Sequence, residues 1–453
     1  MADRTARRGG ALSTVLATLR GALWPIPSLG VFLAIGLGVL LPAVDGRLES
    51  GDQPLTFVFG GGAAAARDVL AAIAGSLISV TGLTFSLTVI ALQLSSSQYS
   101  PRLLQTFVTD RVVQLTLAQL VLTFVYALTV LRTVRTASAT EDDSAFVPRL
   151  SITVAYLLTL GSVLALVFFL GHLAQALRVE TMLRDVHDEA TRTIGTEIDE
   201  PGRPEPDGGD GARPDGPAVP LVARSSGFLV GVDEGAAAAA ARDAGVLVRL
   251  TGRIGDAVVT GTPMAHAWAH VPGRTVDTDA LERALDEAVR LDFERSASRD
   301  VAYGLRKIID IVVRALSPGI NDPTTAVHAL SHASALLGEL AVRPAEDRRV
   351  RDEDGAVRVV LPGWQLAALV QLVLEEPLQY AEGQPAVLRR MAGLLRELAW
   401  RARGRGVDDL LRGYTDRVAE SAVRSTGVGA DEARSWRELV GSALAGEWPV
   451  ARS

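Results

Sequence analysis

Seven polar side chains gather in the second half of the chain: Arg295, Asp300, Arg306, Asp310, Arg314, Asn321 and Asp322. Arg306, Asp310 and Arg314 recur every four residues, so on a helix they share a face and can pair. Two chemistries fit the set. As a salt-bridge and capping network, with Asp322 as N-cap ahead of Pro323, it would order the turn between two helices. If the arginines converge instead, they would hold a small anion or a phosphorylated ligand. His328 and His332 lie one helical turn apart and could join Asp322 around a metal. No H-E-x-x-H pattern or further ligand accompanies them, so no metal is expected. The chain has no cysteine, and Ser79 and Ser86 have no base in sight. No catalytic residue, no enzymatic activity and no cofactor are expected.

A second pattern lies nearer the N-terminus. From Ala71 to Leu94 there is no charged residue. Within this stretch Gly75, Ser79, Gly82, Ser86 and Gln93 recur at steps of four and three, with Val89 the one apolar member, and so fall on one helical face. Thr116, Gln119, Thr123 and Tyr126 form a similar stripe in the next apolar segment. The two striped helices are expected to pair. Small and hydroxylic faces serve helix packing, worth about 0.6–2 kcal/mol for each hydrogen bond across the interface. The alternative is a pore wall. Four spans make a narrow bundle, so a water-filled path would need several copies around one axis. No Asp, Glu, Lys, Arg or His lies between the ends of spans two to four, which argues against proton relays and voltage sensors.

These residues must be held by two kinds of structure. Spans are expected at residues 24–44, 69–94, 112–131 and 150–170, each near the roughly 20 residues that cross a bilayer. Arg4, Arg7, Arg8 and Arg20 precede the first, whereas the following loop has only Arg47 and Arg67. The arginine bias puts the N-terminus in the cytoplasm, and four crossings return the C-terminal part there. Arg132, Arg135 and Arg149 in the expected outer loop run against that bias. The segment Ser95–Arg102 reads as a cytoplasmic loop after span two, with Arg102 and Arg111 at the inner mouth of any path. The expected architecture is an α-helical membrane domain of four transmembrane helices, followed by an α+β cytosolic domain with a small β-rich part and a helical part. Its segments are a cytoplasmic arm (1–23), the four-helix domain (24–171), a helical extension and flexible linker (172–219), a β-rich domain (220–275) and a helical domain (276–453). In the β-rich part, G-D-x-V-x-x-G-x-P at Gly255–Pro263 reads strand, turn, strand, similar to the hairpin of biotinyl and lipoyl carrier-like domains. No lysine stands in it, so nothing would be attached there. A net charge of −7 gives no support for nucleic-acid binding.

The chain resembles the bacterial membrane proteins grouped as domain of unknown function 2254. The resemblance spans most of its length and is carried by Ser76–Arg102, by D-V-A-Y-G-L-R-K-I-I-D at Asp300–Asp310, and above all by A-L-S-P-G-I-N-D-P-T-T-A at Ala315–Ala326. It implies an integral membrane protein with a cytosolic C-terminal domain, and no particular activity. Lys307, the only lysine among 45 basic residues, stands where the family usually has an uncharged residue. The residues themselves favour a homo-oligomeric, channel-like protein of the bacterial inner membrane, with the lipid bilayer and further copies of the chain as partners. The alternative is a non-conducting scaffold or signalling protein that senses a small anionic ligand.

Overall fold

A computed structural model describes residues 24–48, 59–98, 110–135, 146–198, 216–271, 275–296, 299–343, 347–425 and 427–450. Arg4, Arg7, Arg8, Arg20 and Arg102 fall outside these residues. The chain divides into two compact units, Met1–Thr181 and Met182–Ser453.

The first unit contains four helices long and apolar enough to cross a membrane: α1 (Pro25–Leu48), α2 (Ala63–Gln98), α3 (Arg111–Leu131) and α4 (Arg149–Ala176). Even α3, the shortest at 21 residues, is about 30 Å long, the thickness of a hydrocarbon core. Phe32, Leu83, Phe85, Leu164 and Phe168 are exposed on the outside, a surface suited to lipid rather than water. α3 runs through the middle and touches all three other helices. Glycines let α1 approach it closely: a Cβ at Gly30 would stand 3.1 Å from the Ala118 carbonyl oxygen, and one at Gly38 would stand 2.7 Å from the Thr129 Cβ. Leu70, Leu120, Tyr126 and Ile152 fill the bundle core. α2 differs from the expected span. It continues to Gln98, so Ser95–Gln98 prolong the helix instead of forming a loop. No helix breaker occurs before Pro101, which explains the extension.

The second unit begins within the first turn of α5 (Val179–Ile198), which buries Met182, Leu183, Val186, Ala190 and Ile194. β1 (Val219–Val222), β2 (Gly227–Val232), α6 (Glu234–Ala244), β3 (Val246–Leu250), β4 (Ala257–Val258), β5 (Pro263–Ala269), α7 (Thr278–Ala288) and β6 (Val289–Asp292) follow. Asp233 caps α6 and Gly245 ends it at φ 67°, the left-handed stop that glycine adopts without strain. α8 (Val301–Ala315) and α9 (Pro323–Ala341) lead into β7 (Arg348–Arg351) and β8 (Val357–Leu361). Four helices finish the unit: α10 (Leu366–Tyr380), α11 (Pro385–Arg401), α12 (Asp408–Arg424) and α13 (Ala430–Ala445).

The strands form a five-stranded sheet ordered β1-β5-β3-β8-β7 and a three-stranded sheet ordered β4-β2-β6. Two expectations change. β4 pairs with β2, whereas β5 pairs with β1 and β3, so Gly255–Pro263 is a crossing between sheets and not a hairpin. β6, β7 and β8 also come from beyond residue 275, in the stretch expected to be all helical. β7 is Arg-Arg-Val-Arg and β8 is Val-Arg-Val-Val-Leu, so neither shows a clean period of two that would mark a strand beside helical neighbours. β8 lies parallel to β3 through Val248–Val359 and Arg249–Val360. α6 and α7 cover the sheets, with Leu221, Ala237, Ala241, Val246, Val248, Leu285 and Val359 in their core. Leu305, Ile308, Leu330, Leu336, Leu388 and Leu394 are fully buried among the helices.

Candidate functional site

The two stripes of the first unit have different surroundings. On α3, Thr116 and Thr123 are buried and Gln119 half-buried. Gln119 Nε2 donates to the Leu158 carbonyl at 3.2 Å, Thr123 Oγ1 and Ser162 Oγ are 2.9 Å apart, and the Tyr126 hydroxyl donates to the Ser151 carbonyl at 3.0 Å. This stripe is therefore a seam with α4. It does not pair with the stripe of α2, as the sequence had led us to expect. On α2, the buried face is Leu70, Ile73, Ala74, Leu77, Thr84, Thr88 and Ala91. Gly75, Ser79, Gly82, Ser86 and Gln93 all lie on the exposed face, and a Cβ at Gly75 or Gly82 would meet nothing within 4 Å. Ser79 and Ser86 donate to the Gly75 and Gly82 carbonyls of their own helix, at 3.2 and 2.9 Å.

Two polar fastenings of this unit have no signature in the sequence. Asp45, near the end of α1, accepts from the Leu150 and Ser151 amides at 2.9 Å each and from the Ser151 hydroxyl at 2.6 Å. It serves as a distant cap for α4, whose own N-cap residue, Pro148, has no side-chain bond to offer. Asp110 caps α3 through the Val112 amide and meets His172 of α4 at 2.5 Å. Each pairing joins residues more than sixty positions apart, so no local motif announces it.

The seven polar residues of the second unit do not form one site. Arg295 donates twice to Asp300 Oδ2, at 2.9 and 2.6 Å, and lies 5.2 Å from the Tyr303 ring centroid. Asp300 also caps α8 by accepting from the Tyr303 amide. Burial raises the Asp300 carboxyl above its ordinary pKa, against the opposing pull of Arg295. Gly255, at φ 95°, packs against both, and a side chain there would collide with the Asp300 carboxylate. Arg306 forms a second group with Asp310 at 2.9 Å and Glu376 of α10 at 2.5 Å. Burial disfavours its charge, but these two carboxylates outweigh burial and hold its pKa above the usual value. Arg314, a turn further on, is exposed. The third group is the turn into α9. Asn321 takes φ 50° and accepts from Gln384 at 2.8 Å. Asp322 caps the Thr324 and Thr325 amides and accepts from the Thr325 hydroxyl, which holds its pKa low. These charges are spent on joining elements. His332 faces His187 of α5, with ring centroids 5.1 Å apart. Burial and that neighbour lower its pKa. Among the described residues no group of three or more His, Asp or Glu is placed to hold a metal ion.

The arginines that do share a cavity are others. A cleft of about 120 Å³ is lined by Arg253, Arg299, Arg343 and Arg348, with Glu197, Glu234 and Trp364. Val232, Ile254, Val301, Leu340, Leu366 and Leu369 form its apolar walls. The residues named here come from seven helices and strands and the loops between them, so no spacing in the sequence marks them.

Four apolar helices followed by a larger unit of helices and strands define a class of multi-span membrane protein with a second body outside the spans. The pattern of the family described as "Predicted membrane protein (DUF2254)" matches residues 20–397, and the chain belongs to that family. It is 35% identical over 395 residues to an uncharacterized protein of Mycobacterium bovis and to uncharacterized proteins from two strains of Mycobacterium tuberculosis. Each alignment covers 85% of this chain and 73% of the relative. No solved structure matches the chain.

Proposed function

We propose that this protein self-associates in the bacterial inner membrane through the outward face of α2, and that the stripes of several copies surround a path for small solutes. One observation carries the reading: Gly75, Ser79, Gly82, Ser86 and Gln93 leave the bundle together and meet no helix among the described residues. Acyl chains gain nothing from such a face, whereas a second helix can approach it closely. The absence of ionised groups along it suits a neutral path better than a proton-driven pump. A second reading, a non-conducting scaffold, draws support from the hydroxyls. Ser79 and Ser86 already bond their own helix, so the stripe can pack without lining water.

Because the chain has no cysteine, Ser79→Cys and Ser86→Cys are clean reporters. Oxidation of membranes carrying either variant is expected to give a covalent dimer. Planar-bilayer recordings then separate the two readings, since a path gives currents that Ser86→Leu alters and a scaffold gives none. Failure of both cysteines to cross-link, with efficient labelling from the lipid phase, overturns both.

A further inference from the structure

We infer that the cleft lined by Arg253, Arg299, Arg343 and Arg348 is a binding site for a small organic phosphate, with its phosphoryl group on the arginines and a flat or apolar body on Trp364. This is not the cluster singled out from the sequence, and it stands whether or not the first unit conducts. Charge is the first argument. Two carboxylates of the lining, together with Glu339 behind it, match three of the four guanidiniums, which leaves the cleft one positive charge in excess within a chain of net charge −7. Arg299 is held by Glu197 at 2.9 Å, Arg348 by Glu234 at 3.0 Å and Arg343 by Glu339 at 3.4 Å. These ion pairs fix three of the guanidiniums in place. Arg253 differs: among the described residues its guanidinium meets no carboxylate and lies 5.0 Å from the Trp364 ring centroid. It is half-buried and loses part of its hydration without gaining a counter-charge, which an incoming anion would supply.

Shape points the same way. Val301, Leu340, Leu366 and Leu369 form an apolar floor beside Trp364, useless to a bare ion and suited to the body of an organic ligand. So does the number of donors. One bidentate arginine satisfies a carboxylate, whereas a phosphate monoester brings three terminal oxygens and close to two charges. The start of α10 also opens here, through Trp364 and Leu366. No side chain caps that helix at Gln365, and its first-turn amides add to the positive field without carrying the argument. The modest volume sets the size: a single ring or a short chain, not a dinucleotide.

The test is calorimetric titration of the full chain in detergent with phenyl phosphate, inorganic phosphate, benzoate and phenol. Phenyl phosphate is expected to bind most tightly. Arg253→Gln is expected to weaken it about tenfold or more, the scale of one charge-assisted hydrogen bond. Trp364→Leu is expected to weaken phenyl phosphate and leave inorganic phosphate unchanged. Arg437→Gln, an exposed change on α13, is the control and should have no effect. Arg343→Gln substitutes for Arg253→Gln should the latter fail to melt cooperatively. Equal binding of phenyl phosphate and inorganic phosphate overturns the organic ligand, and tighter binding of benzoate overturns the phosphoryl assignment. No heat with any of the four probes, or no effect of the arginine changes, overturns the site.

Discussion

Lys307 and Glu189 give the sharpest test of how the second unit is held together. The Lys307 side chain is 4% exposed, its Nζ lies 2.7 Å from Glu189 Oε2, and the Glu189 side chain is 37% exposed. Tyr303 offers its ring face 5.1 Å from the ammonium. The two partners therefore respond differently to loss of the other. Without Glu189 the ammonium is stranded in the interior, whereas without Lys307 the carboxylate turns to water. Removing one partner of a fully buried pair costs about 3–5 kcal/mol. Access of water to Glu189 lowers this to about 2 kcal/mol for Glu189→Ala. Lys307→Met keeps the length of the side chain and removes the desolvation of a charge, so its expected effect runs from nothing to about 1 kcal/mol of stabilisation. In a unit of this size 1 kcal/mol moves the melting midpoint by about 2–4 °C. Glu189→Ala should thus melt about 4–8 °C below the unaltered protein, and Lys307→Met at or above it. Tryptophan fluorescence is the suitable probe, because five of the six tryptophans, all but Trp24, belong to the second unit. If Lys307→Met melts as low as Glu189→Ala, the ammonium is a net support and the reasoning fails.

Two further outcomes follow from the described contacts. Asp45→Ala leaves the first amides of α4 without their acceptor and should destabilise the membrane bundle by about 2–3 kcal/mol, read as a lower midpoint by far-ultraviolet ellipticity in detergent; an unchanged midpoint refutes the capping role. Hydrogen bonds from Arg417 and Tyr414 hold the Glu375 pKa at about 2, below its ordinary 4.5. A depressed native value stabilises the fold above the unfolded pKa, and that contribution is lost as pH falls from 4.5 toward 2. Because the side chain is half exposed, the gain is under about 1 kcal/mol. Glu375→Gln should narrow the stability difference between pH 6 and pH 3; an identical pH profile removes the assignment.

The spans and most of the helices were legible because hydropathy and the 3.6-residue period are local signals. The N-cap at Asp322 was legible for the same reason, since Asp-Pro followed by Thr-Thr carries its own chemistry. Pairing was not. The α3 stripe met α4 through hydrogen bonds that bridge 25 to 39 positions, and nothing in its period says which helix receives them. The polar cluster was grouped by nearness in sequence, but α8 turns Arg306 toward Glu376 and leaves Asp300 at its start facing Arg295. The strand β7 was hidden by its arginines, and β8 by a short, nearly unbroken apolar run that shows no period of two. The cationic cleft was hidden by its origin in distant segments.

The length of α2 has a mechanical consequence. Its 36 residues make a rod of about 54 Å, against a hydrocarbon film about 30 Å deep. Lying wholly within that film would require a lean of more than 50°, beyond the tilts of roughly 0–40° that crossing helices adopt. With Arg67 and Asp68 kept in the headgroup layer, the 26 residues from Val69 to Leu94, about 39 Å of helix, still exceed that depth, so α2 either leans or stands out of the film. Either way, one end of the rod reaches past the hydrocarbon, where water rather than lipid meets its last turns.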